Sequence, residues 1–371
     1  MACGHAVEES GREDDFRVEK VAEGLEHPWS LAFVRDERDG AHGQALLTER
    51  PGRLHRLDLD SGALETIRGL PPVAVVGQGG LMDVAVHPDY PQTPWIYLTW
   101  SAEGEDPGRY ATHLGRARLE PDGERLEELE VLHVATPFVT NTGHFGSRIV
   151  IDDGYLYVTS GDRRDRDAAQ DLASHHGKIL RFHLDGTIPE DNPFVAEEGA
   201  LDAIYSYGHR NPQGLTVHPR TGALWSHEHG QRAGDEVNVV RKGGNHGWPV
   251  ATHSREYTTG REIGVLPDEH DEVVAPIHVW TDRAFPPSGM AFHHGDAFPE
   301  WEGLLLLGAL GRRYLGYLEL AGDRVVDEGA LLVDHGWRIR DVRVHPDRGD
   351  VYVLVDAADA PVVRLRPAPG P

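Results

Sequence analysis

Cysteine, lysine and long apolar runs are scarce in this sequence. Its single cysteine, Cys3, excludes an internal disulfide. No run of about 18 apolar residues occurs, so no membrane-spanning helix is predicted. Only Lys20, Lys178 and Lys242 are lysines, and 36 basic residues stand against 61 acidic ones. The formal net charge of −25 repels nucleic acid and anionic membranes, and we expect neither as a partner.

Helical periodicity is also nearly absent from the chain. Ala168–His176 is the one short segment whose pattern suits a helix. The 43 glycines and 25 prolines are typical of a turn-rich β protein. A length of 371 residues would by itself suggest two domains. An internal repeat indicates a single domain instead.

The repeat is a short apolar triplet followed by a turn and a second strand-like run, and it occurs six times at intervals of 52 to 75 residues. The triplets are Leu31–Phe33, Val84–Val86, Ile149–Ile151, Leu215–Val217, Met290–Phe292 and Val342–Val344. The runs that return after the turn are Trp95–Thr99, Tyr155–Thr159, Ala223–His227, Leu304–Leu307 and Val351–Val355. Repeats of this size that are built from strands are typical of propellers. The sequence therefore predicts an all-β fold, a six-bladed β-propeller with four-stranded antiparallel blades.

The repeat predicts one domain over residues 16–371, preceded by a disordered, polar segment over residues 1–15. We expect Phe16–Val21 to join the last blade as a strand, because an open propeller leaves exposed sheet edges. No hydrophobic region follows Met1, so no signal peptide is visible. Cys3 is either a free thiol or the lipidated cysteine of a truncated lipoprotein signal.

Polar side chains precede four of the triplets at similar offsets. Gln78 lies six residues before Val84, and His144 and Arg210 lie five before their own triplets. The full set is Gln78, His144, Arg210 with Asn211, Arg338 and Arg340. Equivalent positions of propeller blades meet at one end of the central channel. We expect these side chains to converge at the channel mouth, although each could also be an ordinary polar loop residue.

Several motifs occur in order, with about one in each predicted blade. They are Gly77–Asp83, Gly143–Arg148, Gly177–Arg181 with Asp185–Pro189, Tyr207–Gly214, Glu228–Gly230 with Gly234–Glu236, Pro287–Phe292 and Arg338–Val342. With these motifs the chain resembles the soluble quinoprotein sugar dehydrogenases, and most of all the aldose sugar dehydrogenases that use pyrroloquinoline quinone. The resemblance extends from Val21 to Leu365. That family has six-bladed propellers, in agreement with the repeat count.

The resemblance implies that the anomeric hydroxyl of an aldose is oxidised to a lactone by hydride transfer to the quinone. It assigns His144 as the general base, a role that suits imidazole at neutral pH. It places Arg210 against the quinone oxygen on which negative charge develops, with Asn211 beside it and Gln78 also at the cofactor.

For the three carboxylates of the quinone, the resemblance offers the guanidinium groups of Arg338 and Arg340. Where relatives have a cofactor-contacting lysine this chain has Gly311, and we expect Arg312 or Arg313 to supply the charge. Gly143 stands where some glucose-specific relatives have an acidic residue, which suggests a less selective sugar pocket.

The resemblance further implies a Ca²⁺ ion that polarises the quinone as a Lewis acid, bound by the main-chain carbonyls of Gly230 and Gln231. Many relatives have proline in place of Gln231, an exchange that a carbonyl ligand tolerates. The expected location is extracytoplasmic, and the expected state is a monomer or weak dimer. The electron acceptor and the preferred sugar stay open.

Three other interpretations compete with this one. A calcium-dependent propeller lactonase would need acidic and amide side chains that converge on a metal. A non-catalytic binding propeller would need neither His144 nor the arginine pair. Zinc binding by His227 and His229 would need a third ligand that is not evident, so we favour a structural role for these two histidines.

Overall fold

The computed structural model describes residues 12–35 and 41–368, and this part of the chain contains 26 strands. In chain order the strands are β1 (Phe16–Leu25), β2 (Pro28–Val34), β3 (Gln44–Glu49), β4 (Arg53–Asp58), β5 (Leu64–Ile67), β6 (Leu81–Val86), β7 (Trp95–Glu103), β8 (Tyr110–Arg118), β9 (Glu127–Val134), β10 (Ile149–Asp152), β11 (Tyr155–Ser160), β12 (Lys178–His183), β13 (Ile204–Tyr207), β14 (Pro212–Val217), β15 (Leu224–Glu228), β16 (Asp235–Val239), β17 (Ala251–Arg255), β18 (Glu262–Gly264), β19 (His278–Trp280), β20 (Pro287–Phe292), β21 (Leu305–Ala309), β22 (Leu315–Ala321), β23 (Arg324–Leu331), β24 (Ile339–Val344), β25 (Val351–Val355) and β26 (Ala360–Pro367). The helical elements are short 3₁₀ turns at Glu13–Asp15, Asp167–Ala169, Pro267–Glu269, Pro299–Trp301 and Val333–His335. No helix in these ranges is long and apolar enough to cross a membrane.

The strands form six antiparallel sheets of four strands each, and β17 and β18 form an additional hairpin. Blade 1 contains β2–β5, blade 2 contains β6–β9, and blade 3 contains β10–β13. Blade 4 contains β14–β16 and β19, blade 5 contains β20–β23, and blade 6 contains β24–β26 with β1. Every predicted triplet lies in the first strand of its blade, and these strands contact one another in turn around a closed ring. The prediction of a six-bladed propeller is confirmed.

The N-terminal strand closes the ring by antiparallel pairing with β26, from Phe16 opposite Pro367 to Leu25 opposite Ala360. This confirms the predicted closure, and the strand extends beyond Val21 to Leu25. Of the segment expected to be disordered, residues 1–11 with Cys3 lie outside the described residues. The described structure starts before the predicted boundary, with the 3₁₀ turn at Glu13–Asp15.

The helix expected at Ala168–His176 does not form. Only Asp167–Ala169 has a helical turn, and the chain then continues in turns. The buried Nζ of Lys178 donates to the carbonyls of Ala168, Ala169 and His176 at 2.6–3.1 Å. The carbonyls of a regular helix point along one axis, whereas these three converge on one nitrogen atom, so the segment is not helical.

Apolar side chains fill the spaces between neighbouring blades. Among the described residues, one buried hydrophobic cluster lies at each of the six blade boundaries. Trp225 of blade 4 packs edge-on against Phe292 of blade 5 with ring centroids 5.3 Å apart, and both side chains are buried. Burial of such side chains is worth about 1.5–3 kcal/mol each, so the blade boundaries supply most of the stabilising area.

Charged side chains occupy the channel axis, where Asp83, Arg148, Asp341 and Arg343 form what we call the axial cluster. Arg148 Nη1 lies 3.1 Å from Asp341 Oδ1 and 3.7 Å from Asp83 Oδ1. Arg343 binds the same two carboxylates at 2.8 and 3.2 Å. Two guanidinium groups therefore balance two carboxylates. Asp83, Asp341 and Arg343 lie in first strands of blades, and Arg148 directly precedes one.

We predict that Arg148→Met lowers the free energy of unfolding by about 3–5 kcal/mol, the usual cost of removing one partner of a buried ion pair. Asp83 and Asp341 would each lose one of their two cations, and only Arg343 would remain to pair with both. Urea denaturation followed by tryptophan fluorescence measures the change. Arg324→Gln, at an exposed position of the outer strand β23, is the matched control. A loss below about 1 kcal/mol in Arg148→Met would show that the axial cluster does not hold the blades together.

Candidate active site

A cavity of about 540 Å³ opens at the end of the channel where the first strands of the blades begin. Its volume is in the range of ligand pockets, about 300–1,000 Å³. Of the residues predicted for the site, Gln78, Asn211, Arg338 and Arg340 line it. The other lining residues are His27, Trp29, Arg50, Gly77, Met82, Phe145, Gln213, His229, Pro286, Leu310 and Asp356. Three arginines against a single carboxylate make this wall positively charged.

His144 lies between two cavity-lining residues, Phe145 and Gln78, and is nearly buried. Its backbone N–H donates to Gln78 Oε1 at 2.8 Å, and its φ of +52° is in the left-handed region. A non-glycine residue in that region is strained, and such strain is concentrated at functional sites. His144 is not itself among the lining residues, and the loop holds it next to two that are, at a cost in backbone energy.

The ring of His144 is oriented by Asp162. Nδ1 of His144 lies 2.6 Å from Asp162 Oδ1, and the same carboxylate accepts the N–H of Arg164 at 2.8 Å and Trp248 Nε1–H at 2.9 Å. Since Asp162 accepts from all three, Nδ1 carries the proton. Nε2 has no hydrogen-bond partner in the described ranges and is the nitrogen free to accept a proton from a substrate.

Burial lowers the pKa of His144, and the nearby cations Arg210 and Arg164 lower it further. The hydrogen bond to Asp162 opposes these effects, but the net shift is downward from the ordinary value of 6.5. The imidazole is consequently neutral at pH 7. A neutral imidazole that is oriented by a carboxylate is the form that general-base chemistry requires.

Arg210 and Asn211 lie on the side of His144 that faces blade 4. Arg210 Nη1 donates to the carbonyls of Gly230 at 2.7 Å and His229 at 3.1 Å. Its guanidinium also stands 5.3 Å from the ring of Trp248, and its buried Nε has no partner. Asn211 Oδ1 accepts the N–H of Gly146 at 3.3 Å. The structure thus brings a fixed cation next to the neutral base.

Arg338 and Arg340 share one carboxylate at the cavity wall. Arg338 Nε and Arg340 Nη2 lie 3.0 and 3.2 Å from Asp356 Oδ2, and His27 Nδ1 lies 2.7 Å from Oδ1. Burial alone would raise the pKa of Asp356, but Arg340, His27 and Arg338 together hold it well below its usual value. A permanent carboxylate therefore holds both guanidinium groups toward the cavity.

Comparisons with known proteins identify the family of the chain. Residues 25–364 match the family model for glucose/sorbosone dehydrogenases. The chain belongs to this family. It is 40% identical to the aldose sugar dehydrogenase YliI of Escherichia coli K12, over 94% of this chain and 92% of that protein. It is 27% identical to quinoprotein glucose dehydrogenase B of Acinetobacter calcoaceticus, over 94% and 87% of the two chains.

Solved structures of the same family also superpose on this chain. The apo form of the soluble aldose sugar dehydrogenase of E. coli matches with a TM-score of 0.89 and 38% identity, covering 95% of this chain and all of the other. The PQQ-bound aldose sugar dehydrogenase of Streptomyces coelicolor matches with a TM-score of 0.77 and 26% identity, covering 96% and 99%. Sugar dehydrogenase activity is the property that these family members have in common.

The cavity of this family member suits an anionic, planar cofactor such as pyrroloquinoline quinone. The wall carries three arginines, Arg50, Arg338 and Arg340, and the quinone carries three carboxylates of opposite charge. The side chain of Arg338 is 43% exposed, so its charge is accessible. Trp29 and Phe145 add aromatic surface at the same wall. The orphaned Nε of Arg210 is one more donor that a bound cofactor could satisfy.

The two carbonyls expected to bind calcium are already in use. Gly230 O accepts from Arg210, and Gln231 O accepts the backbone N–H of Arg255 at 3.1 Å. A Cβ at Gly230 would lie 2.3 Å from the backbone of Gly234, so the tight turn that presents these carbonyls requires glycine. The described residues contain no cluster of three acidic, histidine or cysteine side chains that could complete a metal site. The described residues thus offer calcium these two carbonyls without a cluster of three such side chains.

Arg312 is not brought into the cavity, although its neighbours in sequence and space, Leu310 and Pro286, line it. Its guanidinium donates to the carbonyls of Arg283 at 2.6 Å and Ala284 at 3.1 Å, and it stands 5.6 Å from the Phe285 ring. The local carbonyls and the aromatic ring satisfy this side chain away from the channel.

The structure also bears on the competing interpretations. His227 and His229 point their Nε2 atoms to the carbonyls of Gly289 and Pro287 at 3.0 and 2.7 Å, which fits the structural role that we favoured. A hydrolase would need free carboxylates at the axis, but Asp83 and Asp341 are paired with Arg148 and Arg343. The arrangement favours an anionic cofactor over a metal held by carboxylates.

Sequence reasoning missed Trp29, Asp162, Asp356 and Trp248. Trp29 precedes its triplet by two residues, the same offset as Arg340, and that regularity could have identified it. Asp356 directly follows the second strand of its blade, and Asp162 follows β11 by two residues. In each blade the second strand ends where the first strand begins, at the mouth of the channel. A polar residue just after a second strand is therefore expected near the cavity, and this position could have identified Asp162 and Asp356. Trp248 comes from a long excursion within blade 4 that no repeat position predicts.

We predict that the imidazole of His144 titrates below pH 6.5 and that Asp162→Asn lowers its pKa further, because the substitution removes the group that favours the protonated ring. NMR of ¹⁵N-histidine-labelled protein measures both values, and His144→Gln assigns the resonance. A pKa above 6.5 in the wild type, or a rise in Asp162→Asn, would contradict the electrostatic description of the site.

Proposed function

We propose that this protein oxidises the anomeric hydroxyl of aldoses to the lactone and transfers the hydride to pyrroloquinoline quinone bound at the channel mouth. The observation that carries the proposal is the neutral, Asp162-oriented His144 beside an arginine-walled cavity. The family supports sugar oxidation as the reaction class. When bound, the quinone supplies the hydride acceptor.

In the proposed reaction, Nε2 of His144 accepts the proton of the anomeric hydroxyl while the C1–H bond breaks. Asp162 stabilises the imidazolium that forms, since its carboxylate already binds Nδ1–H at 2.6 Å. Arg210 provides a fixed positive charge for the negative charge that develops on the acceptor oxygen. Because its guanidinium is held by two carbonyls, it needs little reorganisation during the reaction.

Gln78 and Asn211 take positioning roles in this proposal. Gln78 Oε1 fixes the backbone of His144, and Asn211 Oδ1 fixes the loop at Gly146, two residues further on. Both residues also line the cavity. Arg338 and Arg340 bind carboxylates of the quinone. An extracytoplasmic location and a monomeric or weakly dimeric state are further predictions of the family resemblance, and the electron acceptor is open.

We extend the proposal to a calcium ion bound by the carbonyl oxygens of Gly230 and Gln231, where it would act as a Lewis acid on the quinone. A carbonyl oxygen has two lone pairs, so each can accept a second partner beside its present hydrogen bond. Calcium takes about six to eight oxygen ligands, however, and these residues supply two. The remaining ligands would have to come from the cofactor and water, so calcium should bind only together with the quinone.

The cofactor assignment predicts that Arg338→Ala weakens quinone binding by about 1.5–3 kcal/mol, the worth of a hydrogen bond between charged groups. Quenching of tryptophan fluorescence during titration of the apoprotein measures the affinity, since Trp29 lines the cavity. Titrations with and without Ca²⁺ test whether the two bind together, and Arg324→Ala is the control. Unchanged affinity in both Arg338→Ala and Arg340→Ala would reject the assignment.

The catalytic assignment predicts that His144→Gln retains quinone binding but loses about 10²–10⁴-fold in rate, the contribution of a general base. Wild-type kcat/KM should fall only as the pH drops through the lowered pKa of His144, below 6.5, because protonated imidazole accepts no proton. Dye-linked oxidation of a panel of aldoses, with quinone and Ca²⁺ added, measures both effects. A quinone-loaded His144→Gln variant with a near-normal rate would remove His144 from the mechanism.

If His144 were excluded, neither Glu49 nor Asp83 offers an evident replacement. Burial raises the pKa of Glu49, but His55, Arg53 and the N–H of Glu26 bring it down to about 2. Asp83 is fully buried in the axial cluster. These environments support His144 over Glu49 and Asp83 as the proposed base.

A further inference from the structure

Two consecutive arginines, Arg163 and Arg164, follow the carboxylate that orients His144. Both have left-handed backbones, with φ of +53° and +60°. Each such non-glycine residue costs about 1–3 kcal/mol, so the surrounding structure must enforce the conformation. Part of that enforcement is visible, because the N–H of Arg164 donates to Asp162 Oδ1 at 2.8 Å. The strained pair turns its two side chains to different environments.

Arg163 points inward and fixes the loop that carries His144. Its Nε donates to the carbonyl of Gly143 at 2.9 Å, and its two Nη atoms donate to the carbonyls of Asn141 and Tyr110. The guanidinium also covers the ring of Phe145 at 3.7 Å. Arg163 is only 2% exposed and has a structural role.

Arg164 points outward and is exposed, but it lies against the residue next to His144. A Cβ built on Gly143 would lie 2.8 Å from Arg164 Nε and 3.2 Å from its Cζ. Its charge also reaches the imidazole, where it is one of the influences that lower the pKa of His144. The guanidinium therefore lies beside the loop that carries the base.

Arg164 differs from its neighbour Arg166 in having no partner. Arg166 binds Glu256 at 2.7 Å and Gln231 Oε1 at 2.8 Å. Among the residues that the structure describes, none accepts a hydrogen bond from the guanidinium of Arg164 or pairs with it. A strained backbone thus holds an unpaired cation beside the proposed base, and a guanidinium is the preferred protein partner of a carboxylate.

We propose that Arg164 is a specificity residue that binds the carboxylate of an acidic aldose, so that uronic acids are preferred over neutral sugars. This inference rests on the proposed function and adds the substrate class to it. The C1–H bond of the uronic acid breaks and its hydride goes to the quinone, while the proton of the anomeric hydroxyl goes to His144. The lactone carbonyl forms at C1, and the carboxylate at the other end of the sugar is unchanged.

The test compares sugars that differ only at C6: D-glucuronate with D-glucose, and D-galacturonate with D-galactose. The measured quantity is the ratio of kcat/KM for the acid to that for the neutral sugar, so effects common to both cancel. Measurements at about pH 8.5 keep His144 neutral in every variant. The wild type should favour the uronates, and rising salt should reduce the preference.

In Arg164→Gln the ratio should fall about 2- to 5-fold, as expected for loss of a partly exposed ion pair. Arg324→Gln removes the same charge from an outer strand and should leave the ratio unchanged. Gly143→Asp places a carboxylate beside Arg164 and should lower the ratio while the arginine is retained. Gly143→Ala is its matched control, because it displaces the guanidinium by a methyl group without adding charge.

An unchanged ratio in both Arg164→Gln and Gly143→Asp would overturn the inference. If the same proteins still oxidise neutral sugars, the proposed function would stand without it. Weaker quinone binding in Arg164→Gln, with no change in the ratio, would reassign Arg164 to the cofactor. A quinone-loaded wild type that oxidises no aldose would refute the proposed function itself, and this inference with it.

Discussion

Arg148, at the centre of the channel, is the residue on which the rest of the site depends. Its charged partners Asp83 and Asp341 come from blades 2 and 6, and the ring of Trp29 in blade 1 lies 4.1 Å from its guanidinium. It also donates to the carbonyls of Gln213 and Arg340 at 2.8 and 2.9 Å. A buried charge is costly unless such partners surround it, so the first strands of five blades are held in one arrangement.

The contacts of Arg148 also fix the residues that form the floor of the cavity. Trp29, Gln213 and Arg340 contact Arg148 on one side and line the cavity on the other. Arg340 is then held by Gln213 Oε1 at 3.0 Å and by Asp356. The position of Arg340, which we propose binds the cofactor, is therefore fixed by Arg148, Gln213 and Asp356.

The sequence predicted the blades because the repeat carries them, and four of the residues predicted for the site line the cavity. Apolar triplets mark the first strands, and Gln78 and Arg340 lie six and two residues before theirs. Contacts made by chain excursions follow no such period, so Trp248 and its bond to Asp162 could not be predicted. Arg312 shows a second limit: its neighbours line the cavity, but main-chain carbonyls of residues 283 and 284 bind its side chain elsewhere. Likewise, the pattern at residues 168–176 could not reveal that three carbonyls of this segment converge on Lys178 Nζ.

The central claim is that neutral His144 removes a proton as hydride leaves C1 of an aldose. The most direct measurement is the rate at which an aldose reduces the cofactor in quinone-loaded protein, with hydrogen or deuterium at C1. The account predicts a primary isotope effect in the wild type and a rate that falls as the pH drops below 6.5. The His144→Gln variant should react slowly, and its rate should not show this fall. Equal rates for the two isotopes across the pH range, together with an undiminished rate in His144→Gln, would contradict it.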